Sequence, residues 1–131
     1  APTASMPIAT YYENELILAE AKLTSDEAGA RVHLNNVRTA LAAQYVSDAT
    51  GFPASSSTGA TLKNEILEEK YITLVGELVA YHDLRRNSNS IGVPTKGNAP
   101  QYPQRFLYPQ NEVDTNTNVP KPLPTFFQTI N

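Results

Sequence analysis

Six charged side chains could do chemistry here by bidentate hydrogen bonding: Glu20, Arg38, Glu77, Asp83, Arg85 and Arg86. They fit two readings, contacts to a glycan or protein partner and ion pairs locking helices together. The second is favoured, because partly buried charges usually occur as pairs. Arg38 falls on the core side of its helical pattern. Its expected partner is Glu77 or Asp83, carboxylates of the other polar cluster on a helical face. Tyr102, Phe106 and Tyr108 form a second group. Aromatic rings in a proline-rich segment either stack on sugar rings or pin that segment down. Tyr102 and Tyr108 are the candidate ligand-binding residues.

Other chemistries find little support. His33 and His82 are the two histidines, and neither stands in an HxxxH or HExxH spacing. His82 and Asp83 are adjacent, so a helix points them to different sides. Glu68 and Glu69 diverge by about 100° on a helix and do not flank one glycosidic bond. The glycines near Gly92 and Gly97 read as turns. No nucleophile-elbow, P-loop or dinucleotide fingerprint occurs, and the absence of Cys removes thiolate metal sites. No catalytic residue, metal site or cofactor is assigned. A net charge of −3 with scattered Lys and Arg argues against a nucleic-acid surface.

These side chains need elements to hold them. The 131 residues suit one domain with a moderate core. Thr10 and Glu13 make a capping-box pattern ahead of YYENELILAEAKL, where Tyr12, Leu16, Ala19 and Leu23 form a stripe with Ile17 beside it. Glu20 lies next to the small residues Ala19 and Ala21, where it can be partly buried and paired. Thr24 and Glu27 repeat the cap pattern before SDEAGARVHLNNVRTALAAQY, whose stripe is Ala30, Leu34, Val37 and Leu41. So short a connection makes the two helices antiparallel neighbours, a hairpin over 10–45. Residues 46–60 read as a loop pinned by Phe52.

The densest helical stretch, 61–87, places Leu67, Tyr71, Leu74, Leu78 and Tyr81 on one stripe. Gly76 interrupts it, predicting one helix over 61–75 and another over 78–86. Seven of the ten prolines lie from Pro94 onward, so residues 88–131 read as an irregular wrap. RFLYP is a short extended piece within it. NEVDTN forms a helical or a polar turn, and the last segment, from Val119, straps over the body. Residues 1–9 read as a tail. APTASMPIAT resembles the middle of a longer chain more than a natural start.

Three runs in order resemble the SusD/RagB family. AEAKLTSDEAGARVHLNNVRTAL is similar to its "LAEA … A…LN.VR" pattern, EILEEKYITLVGELVAYHDLRR to its "I..E..I.L.GE....DLRR" segment, and RFLYPQNEVDTNTN to its closing "R..YP..E...N" motif. The resemblance covers most of residues 11–118 and matches the family's C-terminal part; the lipidated cysteine of that family lies outside this sequence. It implies an α-array of tetratricopeptide-like hairpins, here acting as the scaffold part of an outer-membrane lipoprotein. It further implies a cell-surface, lipid-anchored, non-enzymatic protein that binds an oligosaccharide or other nutrient and caps a SusC-type TonB-dependent transporter. Two alternatives stay open. A tetratricopeptide-like module would bind extended peptide in a groove lined by the first two helices. A carbohydrate hydrolase would need two carboxylates about 5–10 Å apart across a cleft.

Overall fold

The computed structural model describes residues 8–45, 51–97, 99 and 101–127. Among them are five helices and no strand: α1 (Tyr11–Lys22), α2 (Glu27–Tyr45), α3 (Gly59–Thr73), α4 (Leu78–Arg86) and α5 (Gln110–Thr115). The fold is mostly α. Parts of the expected tail (1–7), loop (46–50) and wrap (98, 100 and 128–131) lie outside the described residues. The chain divides into two compact units, Ala1–Asp83 and Leu84–Asn131, with the division inside α4.

In the first unit, Thr10 caps α1 by accepting the Glu13 N–H at 3.1 Å, as the spacing predicts. α1 and α2 are antiparallel, since Tyr12 at the start of α1 hydrogen-bonds Gln44 at the end of α2. Their stripes meet with α3 in one core of Leu16, Ala19, Ala30, Leu34, Val37, Leu41, Leu62 and Ile66, on which Tyr12, Leu23 and Phe52 pack. Ile17, expected beside the α1 stripe, is exposed instead, and the inward place next to Leu16 goes to Glu15.

The second cap is a correction. α2 is capped by Asp26 rather than Thr24: the Asp26 carboxylate accepts the Gly29 N–H at 2.9 Å, and the Asp26 carbonyl accepts from Ala30. That backbone donor holds the Asp26 carboxyl below its ordinary value. A Cβ on Gly29 would lie 2.0 Å from Asp26 Oδ2, so this cap needs glycine there or must move.

The loop after α2 is ordered by one polar face of that helix. Arg38 donates to the Pro53 carbonyl, Asn35 brackets Ser55, Arg31 donates to the Ser57 carbonyl, and Glu27 accepts the Gly59 N–H. Positions 38, 35, 31 and 27 follow the helical repeat, while 53, 55, 57 and 59 follow the two-residue repeat of an extended chain. The segment therefore runs back along α2. Asn35 is the central clamp, with Nδ2 3.1 Å from the Ser55 carbonyl and Oδ1 2.7 Å from the Ser55 N–H. Asn35→Ala leaves both groups of this buried residue without their partner. It is expected to cost about 1–3 kcal/mol and to speed hydrogen exchange at the Ser55 amide; an unchanged exchange rate would refute the clamp.

Between α3 and α4, Gly76 takes φ +93°, a left-handed conformation that glycine adopts without strain. The predicted break is therefore where it was expected, although α3 begins and ends two residues earlier than the sequence pattern. The stripe is kept in part. Leu67 and Leu74 are buried as expected, α3 also buries Leu62, Ile66 and Lys70, and Leu78, expected on the stripe, is exposed.

In the second unit the last turn of α4 leads into turns in which Ser88 and Asn89 both have φ +50°. Asn89 holds Val93 as Asn35 holds Ser55: Nδ2 donates to its carbonyl at 2.8 Å and Oδ1 accepts its N–H at 2.9 Å. The Gln104 N–H donates to the Phe126 carbonyl at 2.7 Å, tying the end of the wrap to its middle. RFLYP is irregular, and NEVDT, with the preceding Gln110, forms α5.

Candidate functional site

The first unit carries three polar clusters between its helices. Glu15 on α1 accepts from Asn36 at 2.9 Å and lies 3.0 Å from His33 Nδ1. Asn36 and His33 hold the Glu15 carboxyl below its ordinary value against the opposing effect of burial. A depressed carboxylate pKa adds stability above the ordinary glutamate value of 4.5. That stability is lost as pH falls through the depressed value. Glu15→Gln is therefore expected to be less stable than the native chain at pH 7 and to lose less stability on acidification. Urea midpoints between pH 7 and 3 check this; parallel curves would overturn it.

Arg38 is central to the second cluster. Its Nε lies 3.0 Å from Glu69 and its Nη1 3.5 Å from Glu65, both on α3. The expected partners, Glu77 and Asp83, are not the ones it meets. Glu77 follows the break at Gly76, where it is exposed. Glu65 and Glu69 are four residues apart and so share one α3 face. Burial pushes the Glu65 carboxyl up, but hydrogen bonds from Ser55 and Ser57 and the Arg38 charge together bring it below its ordinary value. Glu68, its neighbour, faces outward.

In the third cluster Lys70 Nζ lies 3.1 Å from Glu20 and 2.8 Å from Asp83. Glu20 and Asp83 are thus in ion pairs, through a lysine that the sequence analysis did not single out. A signal existed: Lys70 occupies the third place of the four-residue series Leu62, Ile66, Lys70, Leu74, whose other members are all buried. His82 is exposed and lies against Tyr81, ring centroids 5.5 Å apart. Among the described residues no group of three or more His, Cys, Asp or Glu could hold a metal ion.

The second unit holds a cavity of about 530 Å³ lined by Leu84, Arg85, Ser88, Asn89, Thr95, Gln101, Tyr102, Gln104 and Phe127. Its polar groups divide into two sets. One set is spent on the frame. The Tyr102 hydroxyl donates to the carbonyls of Val93 and Pro94, each at 2.8 Å, the Thr95 hydroxyl donates to Ala99, and Asn89 is fully used on Val93. The other set keeps capacity. Gln101 and Gln104 donate their side-chain N–H groups to the carbonyls of Phe127 and Tyr102, leaving both Oε1 atoms as acceptors. The Ser88 hydroxyl has no hydrogen bond among the described residues. Arg85 spends only an Nη1 hydrogen, on the Gln104 carbonyl at 2.7 Å. Leu84 and the rings of Tyr102 and Phe127 add apolar wall.

Of the two tyrosines singled out by sequence, Tyr102 lines this cavity and Tyr108 does not; the Arg105 guanidinium lies 4.9 Å from the Tyr108 ring centroid. Phe106 is exposed. Arg85, expected in an ion pair, has a backbone carbonyl as its partner. Arg86 is exposed in the last turn of α4, where a positive charge complements the helix dipole. Sequence reasoning missed Ser88, Gln101, Gln104 and Phe127 because polar residues in a proline-rich wrap have no periodicity to place them.

No family model, curated protein or solved structure matches this chain. Among the described residues, no helix is long and apolar enough to cross a membrane.

Proposed function

We propose that this protein binds a glycan at the cell surface as a SusD-type nutrient-binding protein, delivering it to a SusC-type TonB-dependent transporter, with its helices as scaffold. The three motifs of 19–41, 65–86 and 105–118 support the family. The observation that carries the ligand class is the cavity in residues 84–127. Amide oxygens, a hydroxyl and guanidinium donors beside two aromatic rings suit the hydroxyls and C–H faces of a sugar. The α-array of tetratricopeptide-like hairpins belongs to the same proposal, and it is supported by the antiparallel α1–α2 pair.

The peptide-binding alternative has one favourable feature, since α2 reads an extended backbone through Arg31, Asn35 and Arg38. That backbone is the protein's own segment 53–59, which occupies the face a peptide would need. For a hydrolase, the cavity lining offers no pair of carboxylates.

Calorimetric titration with a panel of plant and host oligosaccharides tests the reading. Saturable binding is expected for at least one sugar, and Gln104→Ala should weaken it about tenfold without moving the melting temperature. If no sugar binds and an extended peptide does, the glycan reading falls and the peptide module replaces it.

A further inference from the structure

We infer that the cavity of the second unit selects an acidic sugar, a hexuronate, whose carboxylate pairs with Arg85; this rests on the reading of that cavity as a sugar site. Its lining contains one charged side chain, the Arg85 guanidinium, and no carboxylate. The Arg85 Nη1 bond to the Gln104 carbonyl fixes the guanidinium plane by one corner. The Nε–H and Nη2–H edge makes no hydrogen bond among the described residues. That edge offers two parallel donors, which is the geometry a carboxylate takes side-on. A neutral hydroxyl uses only one of them.

The charge distribution favours the same ligand. Residues 84–131 carry five basic side chains (Arg85, Arg86, Lys96, Arg105, Lys121) against two acidic ones (Glu112, Asp114), a net charge of +3. Residues 1–83 carry five basic against eleven acidic, a net charge of −6. A protein negative overall thus has a net positive charge in the unit that holds the cavity, because its acidic residues lie mostly in the other. A surface field of that sign raises the local concentration of anions and falls off with added salt. The neutral acceptors Gln101 and Gln104 and the Ser88 hydroxyl remain for the ring hydroxyls, so the site distinguishes an acidic sugar from a bare anion.

The test is calorimetric titration of the whole chain with trigalacturonic acid, its fully methyl-esterified form and acetate. The acid is expected to bind roughly tenfold or more tighter than the ester, with the difference shrinking at high salt, and acetate is expected to show no saturable binding at the same concentrations. In R85Q the acid should fall to the affinity of the ester, and R85K, which keeps the charge and loses the fork, should lie between. Equal binding of acid and ester by the native chain would overturn the selectivity and leave the glycan reading standing. Absence of binding to either, together with no response across the neutral oligosaccharide panel, would overturn both. Because the acid–ester comparison is made on the native protein, it does not depend on how the Arg85 variants fold.

Discussion

Lys70→Met is expected to destabilise the first unit by about 4 kcal/mol, within the roughly 3–5 kcal/mol typical of breaking a buried ion pair. Methionine fills much the same volume, so the loss is electrostatic. The Lys70 side chain is 5% exposed, and its ammonium lies between Glu20 of α1 and Asp83 of α4, whose side chains are 18% and 17% exposed. Without it two carboxylates face one another in a poorly hydrated site. One consequence separates this account from a packing defect. The deficit should be largely recovered in the triple variant Lys70→Met, Glu20→Gln, Asp83→Asn, because neutral groups of similar shape often replace a buried ion pair at little cost. Urea midpoints of the three proteins decide the matter. A single variant as stable as the native chain would show that the lysine is not holding the helices.

Arg38→Met should cost about 3 kcal/mol, at the lower end of the same range because the Glu65 side chain is 25% exposed and water partly solvates it. The guanidinium ties α2 to two segments at once: to Glu69 and Glu65 on α3, and to the Pro53 carbonyl of the extended segment. Removing it leaves like charges four residues apart on α3 and releases one hold on that segment. The expected signature is therefore double, a lower urea midpoint and faster proteolysis between 51 and 58. Glu69→Gln in the Arg38→Met background should restore part of the midpoint by removing one orphaned charge. If the midpoint falls while the segment keeps its protection, the Pro53 contact is dispensable; if neither changes, the cluster has no structural weight.

The helices themselves were legible in the amino-acid order. The stripe Ala30, Leu34, Val37, Leu41 is a local repeat, and a helix with that repeat has one surface it can bury. Thr10 and Glu13 are near enough in sequence to make their cap without help from elsewhere. Gly76 marks a break because its backbone preference is its own. The partner of each charge was not legible in the same way. Arg38 and Asp83 both lie in ion pairs, but nothing local distinguishes Glu69 from Asp83 as the partner of Arg38, since both are distant carboxylates on helical faces. The packing of α3 against α1 and α2 decides it, and the same packing draws Lys70 inward despite its charge.

The cavity shows the same division more sharply. Tyr102 was noticed for its residue type, as was Tyr108, yet only Tyr102 lines the cavity. Its hydroxyl meets Val93 and Pro94, nine and eight residues back, through turns with no periodic signature. Gln101, Gln104 and Phe127 come together because the Gln104 N–H meets the Phe126 carbonyl across a long stretch of irregular chain. By itself the sequence determined a mostly helical chain with a proline-rich end, and it placed most of the hydrophobic core, because helix formation and amphipathic burial follow from neighbours within a few turns. Only the tertiary structure decided which charges pair and which polar groups stay unspent around the cavity. Those outcomes depend on residues far apart in sequence, whose approach is set by packing.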